Sequence, residues 1–163
     1  MPYLVDGNNV MAQRVGWHRD KARARRGLLE ELARFSRASG AKVSAVFDGA
    51  PDEHFPDGSS FMGVSVFYAE RGGDADARIR RMVDESNERR TLFVVTSDRA
   101  LADYVRRSGA RVVRSGEFRR KMEESAARET REEESRPRGG VPGAELDGWM
   151  RYFGASDEDE EKP

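Results

Sequence analysis

Apolar residues along this chain come in two alternating rhythms. Short runs of β-branched and aromatic residues stand at Tyr3-Leu4-Val5, Val43-Ser44-Ala45-Val46-Phe47 and Leu92-Phe93-Val94-Val95. Between them lie longer stretches in which apolar positions recur every three or four residues. The first rhythm is that of strands and the second that of helices. The pattern predicts strands near residues 2–6, 42–47, 63–68, 91–96 and 110–114, and helices near 19–38, 74–89, 99–108 and 116–134. Strands alternating with helices predict βαβ units, hence an α/β domain with a central, mostly parallel five-stranded sheet flanked by helices.

The predicted helices are amphipathic. In the first, Leu28, Leu32 and Phe35 recur on one face with Leu29 beside them, while Arg19, Arg23, Arg26 and Arg37 fall opposite. In the second, Ala75, Ile79, Met82, Val83 and Ser86 form the stripe, with Asp76 on its rim. The third offers Leu101, Tyr104 and Val105. Residues 49–62, with Pro51, Pro56 and Asp57-Gly58, read as a long loop.

Periodicity weakens after Met122, because no large apolar residue follows until Val141. Glu123 to Arg136 is expected as an exposed charged helix or a partly disordered one, and Pro137 to Gly143 as a linker. Leu146, Trp149, Met150, Tyr152 and Phe153 form an apolar group expected to dock on the domain or on a partner, ahead of an acidic disordered end. The expected organisation is therefore a domain over 1–122, a charged helix and linker over 123–143, and a docking segment with an acidic tail over 144–163.

Composition narrows the class. A length of 163 residues suits one domain with its own core. Mean hydropathy is −0.82, 36% of residues are charged, and no apolar run approaches a membrane span. The chain enters a strand-like segment at once, leaving no room for a signal peptide. With no cysteine there is no disulfide, thiolate metal site or thiol nucleophile, and a cytoplasmic protein is the simplest reading.

The net charge of −1 conceals an asymmetry. Asp157 to Pro163 carry a local −4, which leaves +3 on the remainder. Arg14, Arg19, Lys21, Arg23, Arg25, Arg26, Arg34 and Arg37 face only Asp20, Glu30 and Glu31 in their segment. A basic face suits a polyanion. Only four of the 29 basic residues are lysine, so a general arginine bias accounts for the segment as readily, and a substrate path and a solvated face are both open.

Four aspartates then stand out. Asp6, Asp48 and Asp98 each follow a predicted strand, and Asp76 follows Gly72-Gly73 at a predicted helix start. In a parallel sheet the carboxyl ends of the strands share one edge, where sites form. Singly, each aspartate is explained as a cap or turn former. Together, carboxylates at one edge repel unless a cation lies between them, and hard ions such as Mg²⁺ or Mn²⁺ take oxygen ligands. Asp6-Gly7-Asn8-Asn9 is the most specific segment: Gly7 allows a tight bend, and the Asn8 amide is placed to bind a ligand water or to hold Asp6.

Other chemistries fit less well. His18 and His54 lack metal spacing and a nucleophile partner, and no phosphate-binding glycine loop is present. A metal-dependent phosphatase of the phosphoaspartate kind needs a second aspartate where Asn8 stands, and a strand-end lysine that the lysines at 21, 42, 121 and 162 do not supply.

Tyr3-Leu4-Val5-Asp6-Gly7-Asn8-Asn9-Val10, Val46-Phe47-Asp48-Gly49, Ala75-Asp76-Ala77-Arg78-Ile79 and Val95-Thr96-Ser97-Asp98 resemble the motifs of the YacP-like NYN branch of the PIN-like nucleases. The resemblance runs in order over about residues 2–122. It implies a three-layer PIN-like fold, a divalent-metal site and endoribonuclease activity on single-stranded RNA. It implies Asp6, Asp76 and Asp98 as the acidic core, with Asp48 and Asn8 in support. Asp74 also stands in the helix-start motif and is an alternate ligand, although motif register and rim position favour Asp76. Arg14, Arg19, Arg23, Arg26, Arg71 and Arg99 are the candidate RNA contacts. One family member is a ribosome-associated ribonuclease acting on messenger RNA, and by that analogy the ribosome is a candidate partner. An RNA- or ribosome-binding module with a weak or unused nuclease site is the alternative.

Overall fold

A computed structural model of the chain describes residues 2–136. The linker, the apolar group around Trp149 and the acidic end lie outside the described residues. Six strands, β1 (Tyr3–Asp6), β2 (Val43–Phe47), β3 (Ser59–Phe61), β4 (Val64–Tyr68), β5 (Phe93–Val95) and β6 (Arg111–Val113), form one sheet in the order β3-β4-β2-β1-β5-β6. All pairings are parallel except β3 with β4. Five helices accompany them: α1 (Gly7–Met11), α2 (Lys21–Ser39), α3 (Ala75–Glu85), α4 (Arg99–Arg107) and α5 (Ser115–Ser135).

The sheet therefore has six strands rather than five. The additional strand, β3, lies inside the segment expected as a loop. It pairs with β4 across the two residues Met62 and Gly63, whose φ values are 49° and 90°. Two consecutive positive φ values are the mark of a tight hairpin turn, and glycine carries the second without strain.

Side-chain alternation on the strands splits the core in two. Val5, Ala45, Phe47, Val66 and Val95 pack with Leu28, Leu29, Leu32 and Phe35 of α2, Val10 of α1, and Phe118 and Met122 of α5. Leu4, Val46 and Val94 point the other way, against Ile79 and Val83 of α3 and Leu101 and Val105 of α4. This gives helix, sheet and helix layers. The buried stripe of α2 is the predicted one. Arg19, Arg23, Arg26 and Arg37 are not buried with it: Arg23 and Arg26 lie on the open side of α2, where they line a cleft, and Arg19, which falls before the helix in a short 3-10 turn (Trp17–Arg19), lines the same cleft. Asp20 sets the start of α2 by accepting from the Arg23 N–H at 3.1 Å, and Gly40 closes it at φ 74°.

The helix after Met122 continues without a break to Ser135. By internal packing the chain forms two compact units, Met1–Ala126 and Ala127–Pro163. The described part of the second is the end of α5, exposed except at Glu129. Among the described residues no helix is long and apolar enough to cross a membrane.

The sequence suggests a tight bend at Gly7, but the role of this glycine is close approach. It opens α1 directly after β1, and a Cβ there would lie 2.4 Å and 2.5 Å from the Phe47 ring and 3.0 Å from the Val46 carbonyl. Phe47 is fully buried and has little room to retreat. Gly7→Ala is expected to lower stability by about 1–3 kcal/mol, the usual range for overpacking. A urea midpoint equal to that of the parent would show that α1 can lift away from β2 at no cost.

Candidate functional site

The central strands β2, β1 and β5 end side by side, and their carboxyl ends carry the acids. From β1 the chain passes through α2 to β2 on one side and later returns through α3 to β5 on the other, so the edge at β1 is a topological switch point. Asp6 is the last residue of β1 and is half-buried. Its Oδ2 accepts from the Thr96 hydroxyl at 2.9 Å. Burial raises the pKa of the Asp6 carboxyl to about 6, and the Asp48 and Asp98 charges add to that rise; the Thr96 hydroxyl and the Asn9 N–H act in the opposite direction. Two carboxylates thus bear electrostatically on a third at the edge of one sheet.

Thr96 is fully buried and serves both sides of this group. Its Oγ1 also accepts from the Asp98 N–H at 3.1 Å, tying the end of β5 to Asp6. Asp98 itself caps α4, with Oδ1 3.2 Å from the Ala100 nitrogen. Asp48 accepts from the Ala75 N–H at 2.8 Å, which fixes the start of α3 against the end of β2. Asp74 caps α3 through the Ala77 N–H at 2.9 Å.

Asp76 is half-buried in the first turn of α3. Its Oδ2 accepts from Arg80 Nε at 2.9 Å, whereas its Oδ1 is buried without a hydrogen-bond partner. Arg80 in turn lies over the Tyr104 ring at 4.7 Å, and the Tyr104 hydroxyl donates to Asp84. A buried carboxylate oxygen lacking a donor is costly unless a cation or another donor meets it.

The expected residues are arranged in two tiers. Asp6, Asp48 and Asp98 interact as one acidic group. Asp76 adjoins it through the Asp48–Ala75 bond, with one oxygen held by Arg80. Among the described residues, no three aspartate, glutamate or histidine side chains converge as a ready cation cage. The donor set is nevertheless all oxygen, and the partnerless Asp76 oxygen and the raised Asp6 carboxyl are what a hard divalent ion would relieve.

Asn8 does not hold Asp6. Its Oδ1 accepts from the Asp48 N–H at 2.9 Å, joining α1 to β2. Asn9, a turn former by sequence, accepts from the Ser97 N–H at 2.8 Å and from the Ser115 hydroxyl. Sequence reasoning missed Thr96, Ser97 and Ser115. No local signal marks them, because their partners lie about ninety residues or more away along the chain.

The candidate RNA contacts divide. Arg14 is paired with Glu31 at 2.5 Å. Arg71 is exposed and lines a cleft of about 500 Å³ with Gly49, Gly72 and Gly73, beside Asp48. Arg99 is exposed next to Asp98, and Arg19, Arg23 and Arg26 line a separate cleft near α2.

A family model described as the YacP-like NYN domain matches residues 3–145. The chain belongs to the YacP-like NYN domain family. Crystal structures of Rae1 (YacP) from Bacillus subtilis are similar to it. A mutant form is 25% identical, covering 80% of this chain and 79% of that one with a TM-score of 0.66. Rae1 itself is 23% identical over 98% of both chains, with a TM-score of 0.67. No curated protein matches the chain. Membership in the YacP-like NYN family carries a nuclease-type, RNA-related function.

Replacing Thr96 with valine tests the link between Asp6 and Asp98. Loss of the hydroxyl removes a donor from Asp6 and an acceptor from the Asp98 N–H. Stability should fall by about 1–2 kcal/mol at neutral pH, and Asp6 should titrate higher than in the parent. An unchanged Asp6 titration by carbon NMR would mean that the hydroxyl does not set its charge.

Proposed function

We propose that the protein is a divalent-metal-dependent endoribonuclease that cleaves single-stranded RNA at the β2-β1-β5 edge. The observation that carries this reading is Asp6 at the end of β1, its carboxyl raised by burial and by the charges of Asp48 and Asp98. Asp6, Asp76 and Asp98 would hold Mg²⁺ or Mn²⁺, with Asp48 completing the pocket through water. The bound ion supplies an activated water and neutralises charge developing on the phosphate. The chain's own residues do the rest. Asn8 and Thr96 fix Asp48 and Asp98 relative to Asp6, and Arg80 holds one Asp76 oxygen, which leaves the other as the oxygen that would meet the ion. Arg71 and Arg99 flank the acids, where they would draw a phosphodiester backbone toward carboxylates that otherwise repel it.

The competing reading is an RNA- or ribosome-binding module with a weak or unused site. It is favoured by one observation: Asp48, Asp74 and Asp98 already accept backbone N–H groups at helix starts. Incubating the protein with single-stranded RNA, in Mn²⁺ and in EDTA, separates the two. Internal fragments with 5′-phosphate ends, formed only with metal, support the nuclease. Binding without cleavage supports the module. Release of phosphate from a small monoester, with RNA left whole, would point to a phosphatase. The ribosome belongs to this proposal as a partner by resemblance alone, and cosedimentation with ribosomes tests it separately.

A further inference from the structure

Away from the carboxylate edge, the loop after α1 and the first turns of α2 enclose an open cleft of about 820 Å³. Arg19, Arg23 and Arg26 line it and have no side-chain ion pair among the described residues. This sets them apart from Arg14 and Arg119, which share Glu31 at 2.5 Å and 3.4 Å. Asp20, next to Arg19, is occupied in capping α2, and Glu30, four residues after Arg26, lines the same cleft without an ion pair among the described residues. The three guanidinium groups on the wall therefore outnumber the one unpaired carboxylate beside them and have no bonded counter-charge.

The same cleft contains Trp17, half-buried, with part of its surface against the core and the Lys21 ammonium 5.7 Å from its ring centroid. Val15 beside it is fully exposed, at 103%. An indole bordered by unpaired cations is the combination that binds unpaired nucleotides: the ring stacks on a base and the cations neutralise neighbouring phosphates. In a duplex the base faces are covered by their neighbours, so the ring selects single strands. The cleft adjoins the acidic edge through α1. Gly7 starts that helix next to Asp6, Met11 ends it in the cleft wall, and Arg119 Nη2 donates to the Val10 carbonyl at 3.3 Å.

We propose that this cleft is an accessory subsite for single-stranded RNA, with a base against Trp17 and adjacent phosphates on Arg19, Arg23 and Arg26. The proposal rests on RNA being the substrate and adds a second place where the strand is held, away from the reacting phosphodiester. Its contribution is to affinity rather than to the chemical step.

The chain has two tryptophans, Trp17 and Trp149, so Trp149→Phe leaves Trp17 as the only indole reporter. That variant is titrated with oligouridylate in EDTA, where metal-dependent cutting does not occur. The expected result is saturable quenching of Trp17 fluorescence. Combined Arg19→Gln, Arg23→Gln and Arg26→Gln should weaken binding about tenfold, and should flatten the slope of log affinity against log salt by about 0.7 for each phosphate left without its cation. Trp17→Leu should weaken binding of labelled oligouridylate about tenfold by anisotropy, and duplex RNA should not compete. Binding by anisotropy without quenching, no binding at all, or an unaltered salt slope in the arginine variant would each overturn the subsite. Because the binding arms are read without metal, the nuclease proposal is judged separately. Quenching in EDTA by RNA that stays whole when Mn²⁺ is supplied sinks the nuclease and keeps the subsite, whereas cleavage in Mn²⁺ with parental KM by the arginine variant does the reverse.

Discussion

Asp76→Asn is expected to lower metal-dependent RNA cleavage by about 10²-fold or more, equivalent to roughly 3 kcal/mol of lost transition-state stabilisation. The substitution keeps the size of the side chain and removes one negative charge from the site. Folding should be nearly unaffected. The ion pair with Arg80 is only half-buried, so its loss costs about 0.5 kcal/mol or less. The parent should gain stability in Mn²⁺ because the ion binds only the folded state, and the variant should not. Asp74→Asn is the matched control. Asparagine is a good helix cap, so α3 should be retained and cleavage should stay near the parental rate. Reversal of the two results would transfer the ligand role to Asp74.

The second large effect is on stability against pH in metal-free buffer. Asp6 has an ordinary carboxyl value of 3.8 when unfolded and about 6 when folded, so the folded state holds its proton more tightly. The stability associated with that proton is fully present below pH 3.8 and is lost as pH rises through about 6. At one pH unit per 1.36 kcal/mol, the penalty above that window reaches about 3 kcal/mol as an upper bound. Asp6→Asn removes the penalty but gives up one acceptor among the contacts with Thr96 and the Asn9 N–H, which costs about 1 kcal/mol. The variant should therefore be more stable than the parent by about 1–2 kcal/mol at pH 7.5, with the advantage gone near pH 4. Urea titrations of both proteins across this range read it directly. A difference that does not change with pH would mean that Asp6 is not held in a raised state.

How much of this is legible in the sequence varies with the range of the interaction. Strands β1 and β2 stand out as apolar runs ending in or just before aspartate, and β5 as one followed by Thr96-Ser97-Asp98; their parallel pairing follows from the helices between them. Leu28, Leu32 and Phe35 mark the buried face of α2 because a 3.6-residue period is local information. The strand β3 escapes because Ser59-Ser60-Phe61 is short and its turn, Met62-Gly63, lacks the usual asparagine or aspartate. The five-residue α1 is too short to display a period. For Asp98 the cap reading and the site reading both hold, since its side chain caps α4 while its charge bears on Asp6. Thr96 and Asn9 join parts of the chain that only the fold brings together, so no window of sequence could assign their partners.

The most direct test of the metal assignment is an anomalous difference map from a crystal of the parent protein soaked in Mn²⁺. A peak is expected within coordination distance of Asp6 and Asp98, adjoining Asp76, and absent from Asp76→Asn crystals treated alike. A map with no peak at the β2-β1-β5 edge, or with Mn²⁺ at the Asp74 cap instead, would refute the assignment.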